Sequence, residues 1–175
     1  MSNKNSTSSS SSSSLILIDE KWIIKTINAH VGVHEHLQQL ECKLQEEKKE
    51  KEGKEEQDLH HFILDVFTWT EEEHFQVNQS IRIVFGLNEE YQKKFEYQFG
   101  NTPYSSSSSS PAFPERLTLI QTGLLDHISS TPTTIQLRMS CHGCKVFLQL
   151  PNLSTYESIL QLKPETPIYV GIERL

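Results

Sequence analysis

Between His74 and Phe85 apolar and polar residues alternate. Phe75, Val77, Ile81, Ile83 and Phe85 share one parity, broken only by Gln79. His74, Gln76, Asn78, Ser80 and Arg82 take the other, with Val84 its one apolar member. Period two turns one set toward a core and the other toward water, so this stretch is predicted to be a long central strand of an antiparallel sheet. Phe62–Trp69, rich in aromatic and β-branched residues, predicts a strand before it, with Thr70–Glu73 as the turn. Phe95, Tyr97 and Phe99 alternate with Glu96 and Gln98, which predicts a third strand and a meander. Arg116–Ile120 alternates briefly, with Leu117 and Leu119 on one side, and is a candidate strand, while Gly123–Ile128 is a candidate for one helical turn. Ile135, Leu137, Met139 and Cys141 share a parity, as do Val146, Leu148 and Leu150 beyond the His142-Gly143 dipeptide. Two alternating runs about a tight glycine turn predict a β-hairpin. Ser154-Thr-Tyr-Glu157 has the form of a capping box and predicts a short helix over Ser154–Leu162. Ile168, Val170 and Ile172 predict a last strand, and no repeat is visible in the letters.

Residues 15–44 follow a different spacing. Trp22, Ile23, Ile24, Ile27, Val31, Leu37, Leu40 and Leu44 recur at threes and fours, which predicts a helix with one apolar stripe, capped by Asp19 and weakened at Gly32. Leu37, Leu40 and Leu44 have coiled-coil spacing and are the candidate interaction residues. A helix packed on its own sheet explains them too, since fewer heptads are present than a coiled coil wants. The Lys/Glu block from Gln45 to Gln57 extends this helix or forms a solvated linker. The serine-rich runs Ser2–Ser14 and Ser105–Ser110 have no apolar surface to bury and are expected to be disordered. The expected fold class is therefore α+β: a helical arm over 15–57, then a mainly antiparallel sheet or sandwich over 58–175 with a short C-terminal helix and a serine-rich loop at 101–114.

Composition narrows the partners. The 175 residues carry 16 Lys and Arg against 23 Asp and Glu, a formal charge of −7. Nucleic-acid binding rests on neutralising phosphates, and the basic residues cluster only in Lys48–Lys54, where glutamates cancel them. Leu15–Ile18 is far too short to span a membrane or to form the apolar region of a signal peptide. Three cysteines, an odd number, fit a reducing compartment, so cytoplasm or nucleus is expected. Asn78-Gln-Ser80 and Asn152-Leu-Ser154 match the glycosylation pattern, but no secretory route is visible.

Met139-Ser-Cys141-His-Gly-Cys144 is the sharpest chemical motif, and its letters match the metal loop of small copper-carrying domains. Those domains open a helix at the second cysteine; here Lys145–Leu150 alternates like a strand. A redox dithiol needs the same helical context. Zinc fits a thiolate pair at a tight turn but wants four ligands, and only Cys42 and scattered histidines remain. Cys141 and Cys144 are thus the candidate metal ligands, with a structural hairpin as the plainer alternative. His30 and His34 lie four apart, with His36 nearby, but lack the glutamate of a metalloprotease motif. His60 and His61 open a strand and point to opposite faces. Trp69-Thr-Glu-Glu-Glu-His74 shares its letters with the opening of a Myb/SANT helix over six residues; period two then takes over, and the region is not basic. No phosphate loop, nucleophile elbow or paired carboxylates in an apolar setting are found, so no catalytic or cofactor-binding residue is assigned.

Three function classes follow. The first is a non-catalytic interaction module, a subunit of a larger intracellular assembly, docking or self-associating through its arm. The second is a zinc- or copper-binding domain using Cys141 and Cys144. The third is a small-ligand-binding β domain. Neither nucleic acid nor membrane is expected as partner.

Overall fold

The computed structural model describes residues 15–29, 36–45, 59–68, 70–87, 116–141 and 143–175. Its strands are β1 (Leu15–Ala29), β2 (Leu37–Leu44), β3 (His61–Phe67), β4 (Ser80–Leu87), β5 (Leu119–Ser130), β6 (Thr134–Cys141), β7 (Cys144–Pro151) and β8 (Pro167–Arg174). They close into one antiparallel barrel in the order β1-β2-β3-β7-β6-β5-β8-β4. This overturns the α+β expectation. There is no helical arm over the described part of 15–57: Leu15–Ala29 and Leu37–Leu44 are barrel strands, and the barrel begins at Leu15. The serine runs, residues 46–57, the strand expected at 95–99, and His30 and His34 lie outside the described residues.

The helical spacing has a local cause. In β1 the inner positions are Ile18, Glu20, Trp22 and Ile24, a clean period of two. The register then shifts between Ile24 and Thr26, so Lys25 is a bulge and the next apolar residue against the core is Ile27. One inserted residue turns a spacing of two into a spacing of three, which reads as a helix. In β2 the inner positions are Gln38, Leu40, Cys42 and Leu44, and the buried Gln38 breaks the alternation.

The chain order 4-1-2-3 in the first half is a Greek key, and the order 8-5-6-7 in the second repeats it. Equivalent strands meet at both junctions, β4 with β8 and β3 with β7, as a pseudo-twofold axis requires. The hydrogen bonds repeat too. The Asn78 N–H donates to the Ile24 carbonyl at 2.8 Å, and the Ile24 N–H to the Gln79 carbonyl at 3.0 Å. In the second half the Glu165 N–H donates to the Leu125 carbonyl at 2.7 Å, and the Leu125 N–H to the Thr166 carbonyl at 3.0 Å. Asn78 and Glu165, at φ 66° and 67°, make the same left-handed turn ahead of β4 and β8. A bulge follows Leu125 just as one follows Ile24. The chain is thus a duplicated four-stranded unit that leaves no repeat in its letters.

An eight-stranded barrel has an interior just wide enough for side chains to fill. Here the filling is a continuous apolar cluster drawn from every strand, including Trp22, Phe62, Leu64, Ile81, Ile83, Leu137, Leu148 and Val170. The axis relates Trp22 to Gly123, the largest side chain to none. A Cβ on Gly123 would lie 2.0 Å from the Ser140 carbonyl oxygen, so β5 and β6 approach too closely there for any side chain.

The expected strand over 74–85 is shorter than its alternation suggests. Glu71–Glu73 forms a 3-10 turn, Phe75 is buried, and the chain reverses at Asn78 before β4 begins at Ser80. Within β4 Ile81, Ile83 and Phe85 face the core and Arg82 faces out, the register the alternation predicts. Gly123–Ile128 is strand. The expected helix over 154–162 is a 3-10 turn, Ser154–Tyr156, running into one α-helical turn, Glu157–Leu160.

Candidate functional site

The groups able to do chemistry are dispersed around the barrel. At one end Glu20 points inward, and the Tyr156 hydroxyl donates to its Oε1 at 2.6 Å. His60 Nε2 lies 3.2 Å from the same hydroxyl, and its ring packs edge-on to Trp22 with centroids 6.3 Å apart. Burial and the Glu20 carboxylate together push the Tyr156 phenol up, so it stays neutral. Trp22 is fully buried and Tyr156 nearly so, which leaves this knot little access to a substrate.

At the seam between β3 and β7 only Phe62–Leu64 and their neighbour His61 pair across, and Asp65 closes what lies beyond. Its carboxylate accepts the Lys145 N–H at 3.0 Å and the Gln39 side-chain amide at 2.9 Å; its carbonyl accepts Gln121 at 2.8 Å. A lone carboxylate inside the apolar run Phe62-Ile-Leu-Asp-Val-Phe67 is the signal that could have found it, because a buried charge demands partners.

Cys141 and Cys144 face each other across the start of the β6–β7 hairpin. Burial pushes Cys141 up to about 12 and raises Cys144 as well; Cys42, fully buried on β2, is also up at about 12. All three are free thiols held largely in their protonated form. Among the described residues no group of three or more His, Cys, Asp or Glu is placed to hold a metal ion. His36 makes an edge contact with His74 at 6.0 Å. His60 and His61 point to different neighbours, His61 Nε2 meeting Glu41 at 2.8 Å. Of the leucines with coiled-coil spacing, Leu40 is wholly inside the barrel, and Leu37 and Leu44 are half-buried on the same strand.

A shallow hollow of about 390 Å³ lies outside the barrel, lined by Glu72, His74, Gln76, Asn78, Gln79 and Arg174. The Arg174 guanidinium stacks over the Phe75 ring at 4.2 Å and donates to the Glu73 carbonyl. Phe75 is fixed from beneath by Gln38, which accepts its N–H at 2.8 Å and donates to its carbonyl at 3.3 Å.

The outer face of β1, β4, β8 and β5 divides into two zones. One is ionic: Arg82 forks onto Asp19 at 2.6 and 2.8 Å and reaches Glu173 at 3.0 Å, which holds the Asp19 carboxyl below its usual range. The other is apolar. Gly86 and Gly171 are buried on it, Val84 and Tyr169 are buried although they face out, and Leu117 lies over Gly171. Ile16, beside Gly86, is 41% exposed, and Ile120, beside Gly171, is 39% exposed. Among the described residues no helix is long and apolar enough to cross a membrane.

No family model matches the chain, and no curated protein matches it. Among solved structures, the cytoplasmic molybdate-binding protein ModG, with molybdate bound, aligns over 89% of this chain and 89% of its own at 8% identity. The TM-score is 0.31.

Proposed function

We propose that this chain is a non-catalytic interaction module, a subunit of a larger intracellular assembly that docks through the outside of its barrel. One observation carries the reading: the interior is filled with apolar side chains, and the thiols and the phenol that could react are held protonated. Catalytic acids, bases and nucleophiles are instead tuned toward the operating pH. The docking face is the outer surface marked by Ile16 and Ile120, two large apolar side chains left 41% and 39% exposed beside the buried Gly86 and Gly171. The test replaces Ile16 and Ile120 by lysine in the full chain and follows its association by native size exclusion with light scattering. Loss of assembly in a folded variant supports the reading; an assembly indifferent to both changes counts against it.

A second reading, a small-ligand-binding β domain, has one observation in its favour. The hollow beside Arg174 is within the size range of small-ligand sites, roughly 300–1,000 Å³, and brings a guanidinium and an imidazole to its rim. A thermal-shift screen of small anions tests it: a midpoint that rises with ligand concentration and is lost in Arg174→Ala supports it.

A further inference from the structure

We propose that Cys141 and Cys144 form a reversible intramolecular disulfide, a redox modification site at the tip of the β6–β7 hairpin. The two are Cα partners across the ladder, with two residues between them in the chain and Gly143 at φ 93°. Directly opposed residues of an antiparallel pair have Cα atoms about 4.5–5.5 Å apart, and disulfides span Cα distances of roughly 4.4–6.8 Å. Both side chains lie on the inner face: Cys141 belongs to the core cluster, and Cys144 packs against it. Cross-linking therefore needs neither a change of register nor a flip of either residue.

The surroundings favour a disulfide over a metal. A two-thiolate metal site would need both sulfurs ionised. Burial first disfavours that charge on both, then Cys144 and Asp126 disfavour it on Cys141, and Asp65 disfavours it on Cys144. Among the described residues nothing supplies a third ligand. A disulfide is neutral and apolar, suited to a core edge. The same neighbours leave few thiolates at neutral pH, so oxidation is slow and calls for a persistent oxidant. Glutathione disulfide serves as that oxidant. The less buried Cys144 loses its proton to water, and its sulfur attacks one glutathione sulfur, breaking the glutathione S–S bond and expelling one glutathione thiolate. The Cys141 sulfur then loses its proton, attacks Cys144 and expels the second glutathione. The two thiolates released take up the two protons. Two protein thiols are oxidised, and one glutathione disulfide is reduced to two thiols.

The experiment incubates the purified full chain with glutathione disulfide, alkylates what remains free, and reads intact mass and peptide maps. The expected product has lost two hydrogens, links Cys141 to Cys144, leaves Cys42 alkylated, and reverts with dithiothreitol. Cys141→Ser should stop at a stable glutathione adduct on Cys144. A persistent adduct on Cys144 in the unmodified chain, a link to Cys42, an unchanged mass, or stoichiometric metal in untreated protein would each overturn the proposal.

Discussion

Gln38 is a polar residue at an inner barrel position, where the second half of the chain places Ile135. Its amide holds Phe75 through both backbone groups, accepting at 2.8 Å and donating at 3.3 Å, and Phe75 in turn carries Arg174 on its ring. Gln38→Ala would remove both bonds and leave an N–H and a carbonyl orphaned where Phe75 is only 4% exposed. Each such bond contributes about 0.5–1.5 kcal/mol net, and each buried group left unpaired costs about 1–3 kcal/mol. Some water will reach the segment once Phe75 loosens, so we expect a loss of about 2–4 kcal/mol. Gln38→Glu should do no better: a carboxylate can accept the N–H but cannot donate to the carbonyl, and it brings a buried charge. Gln38→Met keeps the volume without the bonds and separates packing from hydrogen bonding. Urea titration gives the free energies, with an unchanged slope confirming that the native and unfolded ensembles are comparable. Hydrogen exchange at the Phe75 amide should quicken in Gln38→Ala and Gln38→Met, which lose its acceptor. A loss below about 0.5 kcal/mol for both Gln38→Ala and Gln38→Met would refute the assignment of this pair as the anchor of the turn into β4.

Ile83, 1% exposed, should cost about 2–5 kcal/mol as alanine in urea titration, and Ile83→Asp should not fold. Gly123→Ala should be among the most damaging single changes, because its methyl group meets the Ser140 backbone rather than a movable side chain; failure to express as folded protein, checked by circular dichroism, is the expected outcome. The raised Tyr156 phenol sets a high-pH limit. Its folded pKa exceeds the unfolded value of about 10, so its contribution is intact below about pH 10 and is lost as pH rises beyond it. Tyr156→Phe should flatten that part of the stability–pH curve while lowering stability at neutral pH.

The second half of the barrel was more legible than the first. In the β6–β7 hairpin and β8 the inward positions Ile135, Leu137, Met139, Val146, Leu148, Leu150, Ile168, Val170 and Ile172 keep one parity per strand with no bulge, so period two locates them directly. β1 and β2 were read as helix because the bulge at Lys25 and the inward Gln38 break the same alternation, and only pairing with β4 and β3 shows which residues share a face. The start of β4 was set too early, since Phe75 and Val77 keep alternating through a reversal; Asn78, a residue type tolerant of the left-handed region, was the available warning. The duplication was invisible in the letters because it is carried by backbone hydrogen bonds, and those constrain side chains hardly at all. The knot of Glu20, His60 and Tyr156 joins residues far apart in the chain, which no local motif can announce.

The interaction-module reading is tested most directly by the native mass of the full chain in extracts of its own cells. It should elute at a fixed mass well above the 20.2 kDa of the single chain, and the Ile16→Lys, Ile120→Lys double variant should elute as the folded monomer. Elution of the unaltered chain as a monomer at every concentration would contradict the account.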